Sequence, residues 1–120
     1  MNNRTTGMKY ETLAAGYLQE KGYRILVRNF RCRFGEIDII AEDGGVLVFF
    51  EIKFRSSGQC GYPLEAVDVR KQRRISRAAL YYYKENGYVR EQPCRFDVIG
   101  IEGNGSIRHI ENAFEFQGWR

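Results

Sequence analysis

Tyr10, Leu13, Ala14, Tyr17 and Leu18 recur at three- and four-residue steps, the spacing of one helix face. Thr5 or Thr6 can cap this helix, which starts near Gly7, and Gly22 can end it. Tyr23 to Phe30 is rich in β-formers and predicts a strand, followed by a basic turn over Arg31–Gly35. Glu36 to Glu42 reads as a second strand, Asp43-Gly44-Gly45 as a tight hairpin, and Val46 to Phe54 as a third strand. This third strand is mostly apolar and so belongs in the middle of a sheet. Arg55 to Pro63, with Ser56, Ser57, Gly58 and Gly61, predicts an irregular, mobile loop. Asp68 can cap a second helix running to about Asn86, with Ile75, Ala78, Ala79 and Tyr82 on its buried face and Gly87 as its stop. Arg95 to Glu102 predicts a fourth strand, and Ser106 to Ile110 a short fifth after Gly103-Asn104-Gly105. The tail Glu111–Arg120 carries Phe114, Phe116 and Trp119 for packing back onto the body.

The order is helix, three strands, helix, two strands, without repeats or linkers. One α+β or α/β domain over residues 1–120 accommodates it. The longest apolar run, Val46 to Phe50, is strand-sized, far short of the ~20 residues a membrane helix needs. The first residues lack the apolar core of a secretory signal, so a cytoplasmic location, with no membrane partner, is the expectation. Cys32, Cys60 and Cys94 form no Cys-x-x-Cys pair, and His109 is the only histidine; reduced, structural cysteines follow. The net charge of +4 is mildly basic and favours a nucleic-acid partner weakly.

The chemistry concentrates on the third strand. Alternation puts Leu47, Phe49, Glu51 and Lys53 on one face and Val48, Phe50, Ile52 and Phe54 on the other. A carboxylate and an ammonium thus share a strand that should be largely buried, which costs several kcal/mol unless they are paired or bind something. A two-residue turn at Gly44-Gly45 sets Asp38 directly opposite Glu51; a turn at Asp43-Gly44 sets it diagonal. Either register places Asp38 on the face of Glu51 and Lys53, within roughly 5 to 8 Å, whereas a one-residue slip would remove it. Two carboxylates that close hold a proton unless a cation lies between them. Hard oxygen ligands suit Mg²⁺, and a neighbouring lysine can orient water or stabilise charge developing on a phosphate. Against this stands the common solvated Glu-x-Lys ion pair, which the apolar flanks of both strands disfavour.

Five cations in eight residues, Arg70, Lys71, Arg73, Arg74 and Arg77, open the second helix. With a looser group including Arg31 and Arg33, and with Arg55, they could track a nucleic-acid backbone or simply solvate a helix face. Glu11 borders the apolar stripe of the first helix and could reach a metal or face water. Tyr81-Tyr82-Tyr83 suits base stacking or core packing, His109 a structural role, and Asp97 a buried ion pair.

Gly35-Glu36-Ile37-Asp38-Ile39-Ile40-Ala41, Val48-Phe49-Phe50-Glu51-Ile52-Lys53 with Arg55-Ser56-Ser57, Ala66-Val67, Lys71, Arg95-Phe96-Asp97-Val98 and Asn112-Ala113-Phe114 together resemble the YraN-type bacterial family. The resemblance spans Tyr10 to Phe114. It implies a restriction-endonuclease-like α/β core of the PD-(D/E)xK type, similar to archaeal Holliday-junction resolvases: a central mixed five-stranded sheet flanked by helices, in the order α-β-β-β-α-β-β. It implies a Mg²⁺ or Mn²⁺ site at Asp38 and Glu51, assisted by the backbone carbonyl of Ile52, with Lys53 as the catalytic lysine. Glu11 matches an acidic position on the first helix of the resolvases, and Gln72 a helical polar position of the wider superfamily. Phe54 departs from the threonine common there, a change in packing rather than chemistry. The expected function is a metal-dependent endonuclease on DNA, branched or otherwise structured by fold analogy; the alternative is a non-catalytic nucleic-acid-binding module. Junction resolvases work as dimers, so the resemblance admits a homodimer.

Overall fold

Helix α1 (Asn3–Glu20) leads into a three-stranded meander of β1 (Arg24–Cys32), β2 (Gly35–Asp43) and β3 (Val46–Arg55). Helix α2 (Val69–Glu85) then crosses over to β4 (Cys94–Glu102), which turns into β5 (Ile107–Phe114). This computed structural model describes residues 3–55, 67–88 and 92–117, with side chains from Lys9 onward. The loop expected after Arg55, Cys60, Ala66, Trp119 and the capping side chains of Thr5 and Thr6 lie outside the described residues.

The five strands follow in sequence order, β1-β2-β3-β4-β5. Neighbours are antiparallel except β3 and β4, which run parallel because α2 connects them. The sheet is mixed and the fold α/β, as expected. Between β2 and β3 the register passes Asp43↔Val46, leaving Gly44 and Gly45 as the two-residue loop. Both have positive φ, 55° and 89°, which a type I′ turn demands and glycine supplies without a Cβ clash. Of the two turns compatible with the sequence, this is the one that sets Asp38 against Glu51.

A hydrophobic layer covers each face of the sheet. Leu47, Phe49, Phe96 and Val98 pack against Ile75, Ala78, Ala79 and Tyr82 of α2. Val48, Phe50, Ile39 and Ile99 pack against Ala14, Ala15 and Leu18 of α1. The alternation of β3 therefore sorts its side chains between the two helices as its sequence dictates, each fully buried Phe or Leu contributing roughly 1.5–3 kcal/mol. Among the described residues no helix is long and apolar enough to cross a membrane.

Three boundaries differ from the sequence pattern by two residues or more. Helix α1 begins at Asn3 rather than near Gly7, since one glycine slows a helix without stopping it. Strand β1 runs to Cys32 and absorbs two residues of the expected basic turn. Strand β5 reaches Phe114 instead of ending at Ile110, because the Phe114 ring stacks on Phe96 at 5.0 Å. A bulge accommodates that extension: pairing shifts from Val98↔Ile110 to Phe96↔Phe114, with Asn112 at φ 52° between.

Candidate active site at a fork in the sheet

The ladder between β2 and β3 runs from Asp43↔Val46 to Ile39↔Phe50 and stops there. On either side pairing continues, β1 with β2 to Cys32↔Gly35 and β3 with β4 to Arg55↔Glu102. The sheet thus forks just beyond Ile39 and Phe50, and the next residues on the two arms are Asp38 and Glu51. An Asp38 carboxylate oxygen accepts a hydrogen bond from the Ile52 N–H at 2.8 Å, replacing the lost backbone partner. In a strand the N–H and C=O of one residue point to the same edge, so the Ile52 carbonyl also faces the fork.

Glu51 is buried, and two ammonium groups converge on its Oε2: Lys53 Nζ at 3.4 Å and Lys71 Nζ in closer contact. At the register of the β2–β3 ladder, Asp38 lies opposite Glu51. Burial, then the Glu51 charge, pushes the Asp38 carboxyl up to about 7, against the opposing pull of the Ile52 N–H and the Lys71 charge. Burial and the neighbouring Lys71 ammonium lower the Lys53 pKa. Burial lowers Lys71 as well, but its interactions with Glu51, Lys53 and Asp38 together outweigh this and raise it. The cluster therefore sets a carboxyl of raised pKa beside Glu51, backed by two lysines whose pKa values move in opposite directions.

Asp38, Glu51 and Lys53 come together as expected from the sequence. Lys71 joins them, although the sequence placed it only among surface cations. The overlooked signal is helical phase: Lys71 lies four, seven and eleven residues before Ile75, Ala78 and Tyr82, in line with the buried stripe of α2. Its depth is fixed by the Asp68 cap, whose side chain accepts the Lys71 N–H at 2.9 Å. Two other expected site residues are engaged elsewhere. Glu11 sits on the α1 side of the sheet, paired with Arg28 at 2.9 Å. Gln72 folds back, its Nε2 donating to the Val67 carbonyl at 2.9 Å.

Among the described residues no set of three acidic, histidine or cysteine side chains converges. The protein donors at the fork are thus two carboxylates and a backbone carbonyl, a hard oxygen set that suits a cation retaining several waters. A cation there would oppose the upward shift of the Asp38 carboxyl.

A groove of about 450 Å³ opens beside the cluster, between the β1–β2 turn and the start of α2. Arg31, Arg74 and Lys71 line it, and Lys71 connects it to Glu51. The turn rests closely on the helix: a Cβ at Gly35 would lie 3.4 Å from Arg74 Cβ and from its carbonyl oxygen. Arg70, Arg73, Arg74 and Arg77 are exposed along α2, Arg31 pairs with Glu36 at 3.2 Å on the surface, and Arg33 lies over the Phe34 ring. Arg55 ends β3, half-buried.

A separate charged network ties β4 and β5 to α1. Buried Asp97 accepts from Arg95 Nε at 3.0 Å and from the Asn112 N–H at 2.9 Å, and meets His109 Nε2 at 2.7 Å. His109 Nδ1 lies 3.2 Å from the Tyr17 hydroxyl. Asp97 is thus the buried ion-pair partner the sequence suggested, and His109 is absorbed in packing.

Known proteins match this chain along nearly all of its length. A "UPF0102 protein" of Lachnoclostridium phytofermentans is 49% identical, covering 98% of this chain and 99% of that one. Similar proteins of Geobacter metallireducens (49% identical, 96% of each chain) and Carboxydothermus hydrogenoformans (44% identical, 97% of this chain and 100% of the other) carry the same description. Among solved structures, Pyrococcus furiosus SfsA in complex with Ca²⁺ aligns with a TM-score of 0.38 and 16% identity, over 92% of this chain and 64% of that one. The model of the "Uncharacterised protein family UPF0102" matches residues 10–101, and the chain belongs to that family.

Proposed function

We propose that the protein is a metal-dependent phosphodiesterase that cuts DNA, with its active site at the fork between β2 and β3. The observation that carries this reading is the placement of Asp38 and Glu51 on the two arms of the fork, with Lys53 and Lys71 on Glu51 and a groove lined by Arg31, Lys71 and Arg74 beside them. A buried carboxylate beside a half-buried one destabilises a fold unless something else is selected for there.

Asp38, Glu51 and the Ile52 carbonyl would hold Mg²⁺ or Mn²⁺, which when bound supplies Lewis acidity and a more acidic water. The chain's own residues set the rest. The Ile52 N–H fixes the orientation of Asp38. Lys71 holds Glu51 in place through Oε2, and Asp68 holds the backbone that carries Lys71. Lys53 stands beside Glu51 with its charge partly exposed, where it can stabilise a developing phosphorane or position the attacking water. Arg31 and Arg74 line the groove for the flanking backbone, a sequence-independent contact. DNA that is branched or otherwise structured is the favoured substrate.

The second reading, a nucleic-acid-binding module, is favoured by the exposed arginines of α2 alone. Asp38→Ala protein separates the two. A nuclease loses cutting and keeps DNA binding, whereas wild-type protein that binds every DNA geometry tightly and cuts none with Mn²⁺ would leave only the binding module.

A further inference from the structure

The β1–β2 turn and the exposed side of α2 also build an aromatic shelf that no step above uses. The Phe34 ring lies 6.0 Å from the Tyr81 ring, tilted by 57°, and the Phe30 ring lies 6.4 Å from Tyr81. Phe34 is half-buried, while Tyr81 is 36% exposed, among the most exposed large apolar side chains described. The Arg33 guanidinium stands 4.8 Å over the Phe34 ring. Phe34 adjoins Gly35, which lines the basic groove, and Arg74, Arg77 and Tyr81 follow one another at three- and four-residue steps on α2. From Lys71 at Glu51 to Tyr81 is ten residues of helix, roughly 15 Å. One continuous track therefore runs from the carboxylates through cations to aromatic faces.

That alternation matches a nucleic-acid strand whose bases are free. A duplex offers phosphates but hides its base faces in the stack; an unpaired nucleotide offers both. Cations alone would serve a duplex, and the Phe34 ring under Arg33 adds nothing to phosphate binding.

We infer that Phe34 and Tyr81 stack an unpaired base of the nucleic acid whose backbone occupies the Arg31–Arg74 groove, so that the substrate carries a single-stranded segment beside the point of cleavage. The direction toward cleavage rests on the nuclease reading; the binding site does not.

Binding without divalent cations tests it. Fluorescence anisotropy in EDTA compares a labelled single-stranded oligonucleotide with a duplex of the same sequence, for wild type, Phe34→Ala, Phe34→Trp, Tyr81→Ala and Arg74→Ala. Loss of one stacking face should weaken single-strand binding by about 5- to 100-fold and leave duplex binding within about twofold, the range of a lost surface contact. Phe34→Trp should bind as wild type, and Arg74→Ala should weaken both ligands. Should Phe34→Ala not fold, Tyr81→Ala, on the helix surface, decides alone. Equal loss on both ligands, no loss on either, or no nucleic-acid binding by wild type overturns the inference. Absence of cutting in a separate assay would sink the nuclease reading and leave this result standing.

Discussion

Asp38 accepts a hydrogen bond from the Ile52 N–H at 2.8 Å, across the point where β2 and β3 part. A side chain there does the work of a backbone carbonyl, so the fork opens without orphaning a donor. The two neutral replacements should differ. Asp38→Asn keeps an oxygen for Ile52, whereas Asp38→Ala leaves the N–H bare. Urea unfolding at about pH 8 should find the alanine variant less stable than the asparagine variant by about 1–3 kcal/mol. Equal midpoints would mean that the bond does not hold the fork.

The same carboxyl gives stability an unusual pH dependence. Its folded pKa is raised to about 7 from an ordinary 3.8, so the native state holds a proton that the unfolded chain has released. Stability from this group is present below about pH 4 and is lost as pH climbs through about 7. Asp97 has the opposite sign. Burial works against its charge, but His109, Arg95 and the Asn112 N–H win and hold its pKa below the ordinary value. Its contribution is present at neutral pH and lost on acidification below about 4. Relative to wild type, Asp38→Asn should therefore gain on the order of 1–3 kcal/mol between about pH 5 and 8, and Asp97→Asn should be destabilised most at neutral pH. A flat difference for Asp38→Asn across that range would contradict the raised pKa of Asp38.

A divalent cation should compete with that proton. Mg²⁺ or Mn²⁺ should raise the unfolding temperature at about pH 8 by a few degrees at ten times Kd. The effect should fade as pH falls through about 7, and should be absent from Glu51→Gln. Stabilisation that persists in Glu51→Gln would place the cation elsewhere.

Much of this was legible in the sequence. The Gly-Gly turn and the alternation of β3 together bring Asp38, Glu51 and Lys53 to one face, since a period of two allows no other arrangement at that register. The fork itself was not legible. Ladder pairing could have continued from Ile39↔Phe50, and only three-dimensional packing shows the strands parting at Asp38. The partner of Glu11 was not legible either, because a helical position beside an apolar stripe fixes a face but not a partner; Arg28 of the adjacent strand pairs with it. Phe114 was read as tail because the bulge at Asn112 breaks the alternation that would have extended β5.

The two lysines should separate by role. Lys71 contacts Glu51 more closely than Lys53 does, and its removal leaves a buried carboxylate short of a partner. Lys71→Met should cost about 1–3 kcal/mol of stability. Lys53→Met should unfold near the wild-type midpoint and yet lose about 100- to 1,000-fold in single-turnover cutting, as expected for a group that acts on the developing charge. Reversed outcomes in the paired unfolding and kinetic measurements would exchange their roles.

The most direct measurement is cleavage of labelled four-way junction, flap, single-stranded and linear duplex DNA with Mg²⁺ or Mn²⁺, wild-type protein beside Glu51→Ala. Cutting is expected to require the cation, to disappear in the variant, and to favour substrates with unpaired strands. Cutting that survives in Glu51→Ala, or intact DNA throughout despite a protein that binds both cation and nucleic acid, would contradict the assignment of the fork as a nuclease active site.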